Sequence, residues 1–93
     1  NSEFTKTEQV KQNKFNYSIK IADFYFKDTA LTMLGRIEKE TPVNKIEIQS
    51  LSSTQYRVFL GPFYNINSLQ KAFNDINVLQ FENIEIIKND KNN

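Results

Sequence analysis

A chain of 93 residues has room for one small domain, which buries only about 60% of the surface its unfolded form exposes, so a second lobe is excluded. Twelve Lys and Arg stand against eleven Asp and Glu, and a formal net charge of +1 lacks the broad basic field of a general nucleic-acid binder. Neither cysteine nor histidine occurs, which removes thiolate nucleophiles, disulfides, imidazole bases and the usual zinc and copper ligands, and with them most enzyme chemistry.

Residues 1–15 are polar and show no apolar period at 2 or 3.6, the pattern of a flexible linker or tail. No run approaches the roughly 20 apolar residues that cross a bilayer, and no segment has the layout of a signal peptide. Direct membrane insertion by this stretch is therefore not expected. Because the chain begins with Asn rather than Met, it is expected to be a segment of a longer protein whose anchor or leader lies outside it.

The ordered region is expected over residues 16–88. A first strand from about Phe15 to Ala22 alternates Tyr17, Ile19 and Ile21 with Ser18, Lys20 and Ala22, as a half-buried strand does. Asp28 is placed to cap a helix whose body, Ala30 to Glu40, sets Ala30, Leu31, Met33, Leu34 and Ile37 on one apolar stripe. Thr41-Pro42 closes it, since the residue before proline is pushed out of the α region. Val43 to Gln49 then reads as a second strand, and Leu51 to Gln55 as a polar hairpin connection.

The third strand, from Tyr56, alternates Val58 and Leu60 with Arg57 and Phe59 before Gly61-Pro62, where proline offers no ladder donor and a strand stop is expected. Asn65 or Asn67 caps a second helix with Leu69, Ala72, Phe73 and Ile76 at helical spacing. Ile84 to Lys88 gives a fourth strand, and residues 89–93 read as a polar tail. Leu31, Leu34, Leu69 and Phe73 are expected in the core, with Phe24 and Phe63 beside them.

The order β-α-β, β-α-β carries an internal repeat. Tyr17, Ile19, Ile21, Ala22 and Phe24 align with Tyr56, Val58, Leu60, Gly61 and Phe63, and Ile46-Glu47-Ile48 aligns with Ile84-Glu85-Ile86. Such a duplication predicts an α+β, ferredoxin-like fold: a four-stranded antiparallel sheet in spatial order 4-1-3-2, both helices on one face and the other face open.

Tyr56-Arg57-Val58-Phe59-Leu60-Gly61-Pro62-Phe63, followed by a helix and Asn83-Ile84-Glu85-Ile86-Ile87, resembles the SPOR (sporulation-related) repeat domains of bacterial cell-envelope proteins. Ile19-Lys20-Ile21-Ala22-Asp23-Phe24 is an altered form of the family's first-strand pattern, Val-Gln-Val-Gly-Ser-Phe. The likeness covers roughly residues 16–88 and looks most like the C-terminal domains of the rare lipoprotein A type of septal lytic transglycosylase. It implies a peptidoglycan-binding module on the periplasmic or cell-envelope side of a bacterium, favouring glycan strands poor in stem peptides and concentrating at the division septum. It implies no catalysis by this domain, no cofactor, a monomer, and contact with divisome or other cell-envelope proteins alongside the glycan. The family's first-strand glutamine and serine fall on Lys20 and Asp23, and the aromatic two positions before its third-strand arginine falls on Gln55. That arginine falls on Arg57.

An open face of this kind would offer a glycan Ser18, Lys20, Arg57 and Phe59 from the central strands, with Glu47, Gln49 and Glu85 from the edges. Arg57 supplies a rigid fork for an N-acetyl carbonyl or lactyl carboxylate, Phe59 a ring to stack on a sugar, Lys20 a second charge, and Asp23 an acceptor for hydroxyls. Set against this, Lys20 beside Glu47 or Glu85 is equally read as a cross-strand surface pair worth about 0.2 to 1 kcal/mol, Arg57 has the same structural reading, and Phe59 is open to cover by Phe4 or Phe15. The runner-up function is a protein-docking module using the same face. Single-stranded RNA binding comes third, because the third strand lacks the paired-ring pattern of RNA-recognition motifs and no nucleic-acid partner is expected at this charge.

Overall fold

The structure, a computed structural model, describes residues 15–89. It is α+β. Strands β1 (Tyr17–Phe24), β2 (Ile46–Ser52), β3 (Gln55–Phe63) and β4 (Glu85–Lys88) form one antiparallel sheet in the order β2-β3-β1-β4, and helices α1 (Lys27–Glu40) and α2 (Ile66–Asn77) both pack on one of its faces. This is the expected duplicated ferredoxin-like arrangement, with the two repeat strands β1 and β3 paired in the middle.

Alternation along the strands decides which side chains are buried. On the helix side, Ile46, Leu60 and Ile19 lie in register across three strands, as do Ile48, Val58 and Ala22 in the next row. Ile19, Val58 and Leu60 are fully buried and meet Ala30 and Ile37 of α1 and Leu69, Ala72 and Ile76 of α2.

Helix α2 begins as its sequence suggests: Asn65 is the N-cap, its side-chain carbonyl accepting the Ser68 N–H at 2.8 Å. Helix α1 starts three residues before the expected body, with Phe26 at the N-cap and no side-chain cap. Asp28 lies in its first turn instead, where a carboxylate favours the positive end of the helix dipole. The apolar stripe is narrower than expected, centred on Ala30, Met33 and Ile37. Leu31, assigned to the core, is 48% exposed, and Leu34 is only half-buried. Thr41 ends the helix as expected, its hydroxyl donating to the Ile37 carbonyl and accepting the Val43 N–H. Val43 is buried but precedes β2, which begins at Ile46, and the hairpin that follows needs only Ser53 and Thr54 between strands.

Two irregularities shape the central pair. Gly61-Pro62, expected to stop the third strand, is a bulge inside it: Ile19 pairs with Leu60 and Tyr17 with Phe63, so β3 spends one more residue than β1 over this stretch. The Gly61 N–H still donates to the Lys45 carbonyl at 2.8 Å, and the missing proline donor falls where the ladder is already interrupted. Gly61 sits at φ +125°, and a Cβ there would stand 3.0 Å from the Ser18 hydroxyl oxygen. The second bulge is in β1. Lys20 pairs with Phe59 but Ala22 with Val58, leaving Ile21 as the extra residue. Ile21 is equivalent to Leu60 in the internal repeat, so the two bulges lie in the same part of each half but are not at the same position.

Candidate functional site

The β1 bulge changes which residues reach the open face. Unbroken alternation would put Ala22 there with Ser18 and Lys20. With one extra residue inserted, Ala22 turns to the helix side opposite Val58, and Asp23 comes to the open face opposite Arg57. The open face then holds two ordered rows. Glu47, Phe59, Lys20 and Glu85 cross all four strands, and Gln49, Arg57 and Asp23 cross three. Ile87 lies opposite Ser18 at the β4 edge.

Arg57 and Asp23 form the strongest contact on this face. The Nε of Arg57 donates to Oδ1 of Asp23 at 2.8 Å and its Nη2 to Oδ2 at 3.0 Å, a two-pronged ion pair between half-buried side chains. Gln55 adds a third donor, its Nε2 lying 3.0 Å from Oδ2. These hydrogen bonds, Arg57 first, hold the Asp23 carboxyl below the ordinary aspartate range against the opposing effect of burial, and Asp23 in turn raises Arg57. Lys20 stands between two carboxylates, 3.7 Å from Glu85 and 3.9 Å from Asp23.

The expected ligand residues therefore divide. Lys20, Asp23, Gln55, Arg57 and Glu85 are drawn into one polar network, in which two of the five N–H donors of Arg57 are spent on Asp23. Phe59 is half-buried between Glu47 and Lys20 in its row. Phe15 does not cover it, since that ring packs beside Tyr17, 4.6 Å between centroids, against the core cluster; Phe4 lies outside the described residues. Ser18 is on the open side of β1 but only 5% exposed, because the Asn89 amide covers it, donating to its hydroxyl at 2.8 Å and to the Asn16 side chain at 2.9 Å.

Asn89 and Ile87 are the site residues that sequence reasoning missed. Together with Ser18, Gln49, Arg57 and Phe59 they line a shallow depression of about 130 Å³. Asn89 falls in the expected tail, yet its backbone N–H donates to Asn16 at 2.8 Å and carries the packed region just past the end of β4. The adjacent isoleucines Ile86 and Ile87 give no alternation to read; pairing of Ile86 with Ile19 puts the former on the helix side and Ile87 on the open one.

In chemical terms the depression has an apolar floor from a ring and a branched alkyl chain, rimmed by two amides and a guanidinium. The face around it carries Lys20 and Arg57 against Asp23, Glu47 and Glu85, and the closest cation and carboxylate already neutralise each other. Among the described residues no cluster of acidic side chains is placed to hold a metal ion, and no helix is long and apolar enough to cross a membrane. Compared with protein-family models, with curated proteins and with solved structures, the chain finds no match.

Proposed function

We propose that this domain is a binding module for peptidoglycan glycan strands poor in stem peptides, and that it directs a cell-envelope protein to the division septum. The observation that carries the reading is the open face itself: Phe59 and Ile87 half-exposed between amide and guanidinium donors, on a sheet whose charges are paired internally. A peptide-free glycan offers flat apolar sugar faces, N-acetyl and hydroxyl groups at repeat spacing, and a lactyl carboxylate on every second sugar. A ring to stack on, amides at the rim and a guanidinium with donors to spare for a carboxylate or N-acetyl carbonyl match that chemistry, whereas a phosphate backbone, charged at every nucleotide, would meet three carboxylates on the same face. The choice of peptidoglycan among glycans rests on the resemblance of Tyr56-Arg57-Val58-Phe59-Leu60-Gly61-Pro62-Phe63 to SPOR domains.

The reading assigns roles that differ from residue to residue. Phe59 stacks on a sugar ring, Gln49 hydrogen-bonds an N-acetyl group, Asn89, whose two N–H donors go to Asn16 and Ser18, accepts through its amide oxygen, and Arg57 donates through the N–H groups that Asp23 does not take. Asp23 positions Arg57. Its carboxyl, held below the ordinary aspartate range chiefly by the Arg57 hydrogen bonds, stays ionised and orients that guanidinium.

Co-sedimentation with intact sacculi and with amidase-treated, peptide-free sacculi tests the proposal. The domain is expected to be retained by the peptide-free material in preference to the intact one. Indifference to both overturns the glycan reading, and a salt-sensitive shift of single-stranded oligonucleotides in its place would favour RNA.

A further inference from the structure

On the helix side, away from the open face, lies a larger cleft of about 330 Å³ between the α1–β2 connection, the end of β3 and helix α2. Its size is at the lower end of the range for small-molecule sites. The floor is apolar, from the buried side chains of Val43, Phe63 and Ala72, and the exposed ring of Tyr64 stands at its side. Lys45 is held in place at the rim. Its ammonium donates to the Pro62 carbonyl at 2.8 Å and lies 5.6 Å from the Phe63 ring centroid and 5.7 Å from that of Tyr64.

Across the cleft, Lys71 pairs with Asp75 at 2.9 Å. That pair balances itself, so among the described residues the cleft keeps one uncompensated positive charge, on Lys45. An ammonium fixed by one carbonyl and two ring faces still has donors free, and none of those partners is an anion. A fixed cation beside an apolar floor and an aromatic wall suits a molecule with an anionic end and an apolar body.

We infer that this cleft is a second binding site, independent of the glycan face, for a small monocarboxylate with an apolar or aromatic body. The carboxylate sits on Lys45 and the body lies over Val43, Phe63 and Ala72 beside Tyr64. Because the cleft and the open face share no lining residue, either site can fail without the other.

The test is a titration of the isotope-labelled domain with N-acetyl-phenylalanine, followed by amide chemical shifts, with the uncharged N-acetyl-phenylalaninamide as control. Saturable shifts at millimolar concentration are expected at Val43, Lys45, Tyr64, Ser68 and Ala72, with Gln49, Phe59 and Ile87 unmoved. Losing one charge-assisted hydrogen bond should make the amide bind about tenfold more weakly, and Lys45→Met should weaken the carboxylate by a similar factor while Lys45→Arg restores it. Ser68→Trp, at an exposed position, fills the mouth of the cleft and should abolish the shifts without unfolding the domain. The inference is overturned by an absence of saturable shifts, by equal binding of acid and amide, by shifts that map elsewhere, or by a Lys45→Met variant that binds as well as the parent.

Discussion

The two faces of one sheet are built from the same strands, often from neighbouring residues, and do opposite work. On the helix side Ile19, Val58 and Leu60 are fully buried against two helices. One residue along, on the open side, Lys20, Arg57 and Phe59 are half-exposed, and the two cations are joined to carboxylates by ion pairs and hydrogen bonds. Burial of a branched side chain contributes about 1.5 to 3 kcal/mol, whereas a partly exposed ion pair contributes about 0 to 1. Stability should therefore reside almost wholly on one face, leaving the other free to be shaped for a ligand.

Substitutions grade this difference. Leu60→Ala removes a fully buried side chain between the helices and should cost about 2 to 5 kcal/mol in denaturant unfolding. A cost within the range seen on the open face would mean the core is less closely packed than the structure shows. Gly61→Ala comes next. Its φ of +125° and the 3.0 Å approach of a Cβ to the Ser18 oxygen should cost about 1 to 3 kcal/mol, and because Ser18 carries Asn89, the depression beside it should be disturbed as well.

Asp23→Asn is expected to cost less, about 0.5 to 1 kcal/mol at neutral pH, and its effect should depend on pH. The folded-state pKa of Asp23 is depressed, so the ionised form is the stabilising one. That contribution is complete above the unfolded value near about 4 and is lost as pH falls through the lower folded value. Unfolding curves of parent and variant should thus begin to converge as pH falls below about 4 and meet once it lies below the folded value, and a gap undiminished by acid would show that the Arg57 pair is not its source. Lys71→Ala, which breaks an exposed pair between successive turns of α2, should change stability by less than about 0.5 kcal/mol.

The architecture was legible because two signals agreed. Apolar period and internal repeat both placed β1 and β3 as equivalent central strands, and the residues flanking each turn set the order of elements. What escaped was one-residue detail. A bulge such as that at Ile21 carries no compositional mark, so Ala22 was expected on the open face and Asp23 only at its end, when the inserted residue reverses them and creates the Arg57 pair. Gly61-Pro62 carries a strong mark with two meanings, strand stop and bulge, and only the partner strand distinguishes them. Leu31 satisfies the helical spacing but lies one position off the buried Ala30 and is left exposed. Asn89 sits in a run of Asn, Asp and Lys, and its role depends on Asn16 and Ser18, far away in sequence. The site was legible as a set of residues and not as a set of roles, because charge pairing across strands is a property of register.

Whether the open face is shaped for a ligand and not for stability is tested most directly by Phe59→Ala. Retention by peptide-free sacculi and unfolding by denaturant should be measured on the same preparation. Retention should fall about tenfold, as the loss of roughly 1.4 kcal/mol of binding would produce, with stability falling by much less than in Leu60→Ala. Unchanged retention in a variant that remains folded would contradict it.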